Sequence, residues 1–237
     1  MRTTRLGQTL SLFSKDERGN ALFLILLAIV LFAGLSYAVT QTGHPSRSAR
    51  LENELIASSQ LTQFGNALRL GIDRMQIAGI DAGDVLFVAS VNAPEYSSEN
   101  NIFNPKGFVG LRSVDPAADA FDSNVASHAD AAWIYRTAAL EGNGRTLLPG
   151  VGSEQGADRV LVLTGISSNV CRFINQRLGL SGVESAIPPV GKAAADFITT
   201  SADLDLREEA YMPKGQPFLC VRTSDQQYVY YHVLSDS

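Results

Sequence analysis

Apolar residues run almost unbroken from Ala21 to Val39, and nowhere else in the chain does this texture recur. The stretch Asn20 to Thr40, NALFLILLAIVLFAGLSYAVT, has no charged side chain and no polar face before Ser36. About 20 such residues, rising ~1.5 Å each as a helix, cross the ~30 Å hydrocarbon core of a bilayer. In lipid a helix satisfies its own backbone hydrogen bonds. The pattern therefore predicts a transmembrane helix over 20–41. The alternative is a buried helix of a soluble core, which would ordinarily carry a polar side.

Beyond it, Gly43 and Pro45 interrupt the run, and a different period begins. Leu51, Leu55, Leu61, Phe64, Leu68, Ile72 and Met75 recur mostly three or four apart, with Glu52, Gln63, Arg69 and Asp73 between them. That spacing predicts an amphipathic helix within 42–80 that continues into the domain and lays its apolar stripe on a sheet. A globular domain is then expected over 81–237.

Its elements are shorter. Val85 to Val88 and Phe108 to Leu111 read as strands flanking an Asn-, Ser- and Pro-rich loop at 92–106. Asp115 to Asp130 is a polar connection with turn signals at Asp115-Pro116 and Ser123-Asn124. Ala132 to Thr137 is strand-like and closes on a turn at 141–144. Arg159 to Thr164 fits a buried strand or a helix start. Ser167 or Ser168 caps a helix through Val170 and Ile174 that stops near Gly179. From Val190 to Met212 little but loop is expected. Pro217 to Arg222 and Tyr228 to Leu234 form a terminal hairpin around Ser224-Asp225, alternate residues facing opposite sides. The predicted fold class is α+β: a long N-terminal helix, transmembrane and then amphipathic, on an antiparallel sheet with one disulfide.

Charge adds direction. Residues 1–19 carry Arg2, Arg5, Lys15 and Arg18, whereas only Arg47 and Arg50 follow closely on the other side. Lys and Arg collect on the cytoplasmic side, so residues 1–19 read as a cytoplasmic leader and the domain as exported. The chain's net charge is −5, and without the leader's net +2 it is −7. An acidic domain has no electrostatic attraction for nucleic acid, which is not expected as a partner; the lipid bilayer is. Cys171 and Cys220 both fall on the exported side. An even count in an oxidising compartment favours one disulfide over two buried thiols.

Three fates fit the apolar run. It is a permanent anchor, a secretory signal cut after Ser36-Tyr37-Ala38 and before Val39, or the helix of a processed precursor. The last follows from Arg18-Gly19, which ends a short charged leader just where the helix begins at Asn20. This layout resembles that of type IV prepilins and type II secretion pseudopilins, whose peptidase cuts after the glycine preceding the helix. The resemblance implies processing at Gly19 and Asn20 by a prepilin peptidase. It also implies a single-pass bacterial inner-membrane location with the domain in the periplasm, and packing against other pilin-like subunits. Two positions depart from that pattern. Asn20 stands first where Phe or Met is usual, and Leu24 stands fifth in place of Glu. Within the helix, Gly34 and Ala38 form a small-x-x-x-small pair that lets another helix approach.

No metalloprotease helix, nucleophile elbow, Walker loop or dinucleotide fingerprint occurs, so an enzyme is not expected. His44, His128 and His232 lie far apart, and Gly142-Asn143-Gly144 reads as a hairpin turn. Two acidic groups, Asp203, Asp205, Glu208 and Glu209, and Asp115, Asp119 and Asp122, contain carboxylates of the kind that hold Ca²⁺. They lack the ordered spacing of a calcium loop, and a solvated acidic face is the simpler reading, with no cofactor expected. The sequence thus points to a pilin-like structural or assembly subunit. Its alternative is a membrane-anchored or secreted periplasmic binding module that does not polymerise.

Overall fold

The computed structural model describes residues 18–42, 45–122, 132–136, 144–153, 157–180 and 186–235, with side chains from 21–37 and from 49 onward within those ranges. The leader up to Glu17, the Gly43-His44 break, His128, the Ser123-Asn124 turn and most of the turn at 141–144 lie outside the described residues. The chain divides into two compact units, 1–48 and 49–237.

The first unit contains helix α1, Arg18–Thr42. Every described side chain on it, from Ala21 to Tyr37, is exposed. That described portion rises about 25 Å. Among the described residues, no helix is long and apolar enough to cross a membrane.

The second unit takes all but the first turn of α2, Pro45–Ile77. After it come β1 (Ile134–Arg136), β2 (Thr146–Leu147), β3 (Arg159–Thr164), α3 (Ser168–Gln176), α4 (Ala194–Ile198), β4 (Leu204–Asp205), β5 (Phe218–Arg222) and β6 (Tyr228–Ser235). Four strands form an antiparallel sheet in the order β1-β3-β6-β5, while β2 and β4 pair in parallel as a separate ribbon. The fold is α+β.

Strand β6 is central and buried on both faces, so its alternation sorts the core into two layers. Val229, Tyr231 and Val233 join Val160, Val162, Leu219 and Val221 beneath α4, β4 and their loops, with Phe197, Leu204 and Leu206 packed against them. Tyr230, His232 and Leu234 face the other way. There Ala57, Leu61, Leu68, Ile72 and Met75 of α2 and Val170 and Ile174 of α3 cover the sheet. Cys171 on α3 and Cys220 on β5 form the disulfide, with Cα atoms 5.3 Å apart.

The expected stripe on α2 holds in its second half and fails in its first. Leu51 and Leu55 are 41% and 47% exposed, while Glu54, Ala57, Ser58 and Thr62 are buried. The face set by Leu61, Leu68, Ile72 and Met75, followed backward in steps of three and four, arrives at Glu54 and Ala57. Beside Ala57, the buried polar residues there have polar partners. Asn169 Nδ2 donates to Glu54 at 2.8 Å, and Arg177 on the turn after α3 donates to Thr62 Oγ1 at 2.7 Å and to Ser59.

Several short elements also differ from expectation. Val85 to Val88 is no ladder strand: Leu86 makes one bridge to Asn101, whose buried side chain serves Val88 through both its N–H and its carbonyl. Phe108 to Leu111 is likewise irregular, fixed by Leu111 N–H to Ile102 C=O. Of the strand expected at 132–137, Ile134–Arg136 joins the ladder and Ala132-Trp133 does not, while Thr137 lies outside the described residues. Residues 190–212, expected as loop, include α4 and β4. The open choice at Arg159 to Thr164 resolves as a strand, because β1 and β6 pair with it on either side. The expected cap is Ser167, whose Oγ accepts from Val170 N–H, and Gly179 follows the helix at φ +76°.

Candidate functional site

The processing pair, Gly19 and Asn20, sits in the first turn of α1 with side chains outside the described residues. Gly34 has nothing within 4 Å of where a Cβ would stand, and the Ala38 side chain is not among those described. Among the described residues nothing packs on Gly34, and the other half of the pair lies outside them.

In the second unit, a groove of about 440 Å³ opens between the loop 147–153 and the segment 207–214. Its floor is organised by Asp158, 1% exposed, whose Oδ2 accepts from Leu148 N–H at 2.9 Å. Gly215 N–H donates to Pro149 C=O at 2.8 Å and joins the two rims. Arg207, Lys214, Glu208 and Asp158 line it, two cations against two anions. Arg207 is already committed, with Nη2 2.6 Å from Asp205 Oδ2; its hydrogen bond holds that carboxyl at about 2. Among the described residues no histidine or cysteine lines the groove. Its volume suits a small molecule, but its charges favour neither sign.

The acidic residues do not converge. Asp203 accepts from Arg145 N–H at 2.6 Å, a bond that lowers its pKa below the ordinary carboxyl value, and also pairs with the Arg145 guanidinium. Glu209 instead accepts from Gly191 N–H at 3.0 Å. Among the described residues no three His, Cys, Asp or Glu side chains come together to hold a metal ion. Asp203, Asp205 and Glu209 instead serve as local anchors for separate loops.

Two buried basic residues, neither singled out by sequence as a site, dominate the interior. Arg136 is 2% exposed and reaches past the end of β1. Its Nε donates to Thr146 Oγ1 at 2.9 Å, Nη1 to Thr199 C=O at 2.5 Å and Nη2 to Ala202 C=O at 2.6 Å, with longer bonds to the Asp196 and Phe197 carbonyls. The last carbonyls of α4 have no partner within their own helix, and the guanidinium supplies one. Burial lowers the pKa of Arg136, with Asp203 opposing.

His232 is fully buried on the α2 side of β6. Its Nδ1 lies 2.7 Å from Tyr230 Oη, which is 3.5 Å from the Leu61 carbonyl on α2. The ring stacks on Phe218 with centroids 5.4 Å apart, and Nε2 has no partner among the described residues. Burial first, and the charge of Arg69 second, push this imidazole down to about 4. Gly65 makes the arrangement possible, since a Cβ there would fall within 2.8 Å of three ring atoms. The strand pattern could have placed His232 inward, but nothing local pairs it with a glycine on a distant helix.

No protein-family model, curated protein or solved structure matches this chain.

Proposed function

We propose that the chain is a membrane-anchored, pilin-like structural or assembly subunit of a bacterial envelope filament or secretion system. In this reading α1 is seated in the inner membrane, the leader is cytoplasmic and the disulfide-bearing unit is periplasmic. One observation carries the reading. Apolar side chains along α1, among them Leu22, Phe23, Leu27, Ile29, Phe32 and Leu35, are each between 47% and 74% exposed. Continuous apolar surface of that kind is removed from water by lipid or by other helices. The disulfide supports export, because such bonds persist in oxidising compartments. The domain's role is mechanical and recognitional, with no catalytic group assigned.

A second reading, an anchored module that never polymerises, is favoured by Leu24. It stands where the pilin pattern carries a carboxylate at the fifth residue after the cut. The groove beside Lys214 gives that reading a place for a ligand.

The test is the N-terminal residue and intact mass of the protein purified from its own host. A start at Asn20 with recovery in sheared surface filaments supports the subunit reading. An intact Met1 in the membrane fraction supports the anchored module. A start at Val39 in a soluble fraction sinks both membrane readings.

A further inference from the structure

We propose that His232 is a proton-operated latch that holds the middle of α2 against the sheet, so that protonating its ring frees residues 61–72 from β6. The ring lies directly against Gly65 of α2. Gly65 leaves room for it, Phe218 covers one face, and the Tyr230 hydroxyl links it to the Leu61 carbonyl. Neutral imidazole fits this place. With Nδ1–H donating to Tyr230 Oη and that hydroxyl donating to Leu61, the unpartnered Nε2 is a lone pair, the cheaper group to leave bare. A second proton would create a buried N–H donor and a buried charge with no acceptor.

The surroundings offer no compensation. Across the sheet the row is Tyr135, Leu161, His232 and Phe218, neutral throughout. On α2 the charged neighbour is Arg69, a cation. Arg177, beyond α3, acts on Tyr230 and is also a cation. Among the described residues no carboxylate is bonded to the ring. Lifting α2 hydrates the ring and restores an ordinary affinity for its proton. The lifted state therefore gains on the closed one as pH falls through about 6.5, and the gain levels off below about 4. Across pH 7 to 4 the opening equilibrium then rises roughly 100-fold.

The experiment is amide hydrogen exchange on the full chain in a nonionic detergent, between pH 7 and pH 3.5, corrected for intrinsic exchange rates. Trp133, the only tryptophan, packs on Phe64 of α2 and on Tyr230, so its emission reports the same seam. Expected is a rise of roughly 100-fold in opening for residues 61–72, with a Trp133 red shift, while β3 amides stay protected. In His232→Phe, which cannot take up the proton, the rise should shrink to within about 3-fold. A flat wild-type profile overturns the latch, as does an equal rise in His232→Phe or loss of β3 together with α2. Should that variant not fold, NMR titration of the wild-type ring decides. A midpoint below 5 that coincides with α2 opening supports the latch, and one near 6.5 with α2 still protected overturns it.

Discussion

At the scale of single residues, the domain is held by side chains whose partners are far away in sequence. Gly65 and His232 are the clearest pair. Gly65→Ala adds one methyl group to the helix and improves its propensity, yet that methyl must displace an imidazole packed on Phe218. Overpacking of this kind costs about 1–3 kcal/mol, so urea melts of Gly65→Ala should show a lower midpoint. Removing the ring removes the conflict. In a His232→Ala background the same change should therefore cost less, a coupling that a double-mutant cycle reads directly. Equal cost in both backgrounds would mean that the ring is not what fills the glycine's space. Arg136 poses a different test. Lys keeps the charge but not the planar fork, so Arg136→Lys should strand carbonyls at Thr199 or Ala202 and lose about 2 kcal/mol. Unchanged thermal stability in that variant would remove the guanidinium from its place as the cap of α4. Neither pairing was legible in sequence, because an arginine in a strand-like stretch and a histidine in a terminal strand read as ordinary surface or core positions until the distant partner is known.

At the scale of elements, legibility followed how local each cause is. Ser167 and Gly179 bound α3 through bonds and dihedrals a few residues long, and both were readable. The alternation in Tyr228 to Leu234 placed β6 between two layers for the same reason. By contrast, α4 is five residues long and stands because Arg136 reaches its carbonyls from β1. Strand β4 exists only because β2 lies beside it. Val85 to Val88 had strand-like residues but no ladder partner, and Asn101 takes up the Val88 backbone groups instead. The disulfide joins two well-supported elements, and its effect can be sized. Its cysteines are 49 residues apart, and closing such a loop stabilises by about 4 kcal/mol in the chain-entropy model. Replacing both cysteines by alanine should lower Tm by roughly 8–16 °C for a unit of this size. Both cysteines are fully buried, so reductant should act on the wild type only under conditions that also unfold it. Rapid reduction under native conditions, with the near-ultraviolet circular dichroism retained, would contradict that burial.

At the scale of the whole molecule, the two units have different sources of order. All three core clusters draw on residues between Ala57 and Leu234, so the second unit holds its complete interior. α1 contributes no buried side chain among the described residues, and its helix is legible in sequence because hydropathy is read locally. The sheet order and the polar seam under the first half of α2 were not readable, since Glu54 and Ser58 look like solvent-facing residues until Asn169 and Arg177 are brought to them. A chain beginning at Ala49 should therefore remain folded, with one cooperative thermal transition, an intact disulfide and the Trp133 emission of the full chain. Loss of that transition would mean that residues before 49 contribute to the core. Location tests the anchor that both readings share. If α1 is the anchor, the full chain should stay with membranes through an alkaline carbonate wash and the shortened chain should be released. Joint retention would assign membrane attachment to the second unit, while joint release would leave α1's apolar surface to be covered by protein. Only retention of the full chain with release of the shortened one fits a subunit stored in the bilayer, because that outcome alone places the covering of Leu22 to Leu35 in lipid.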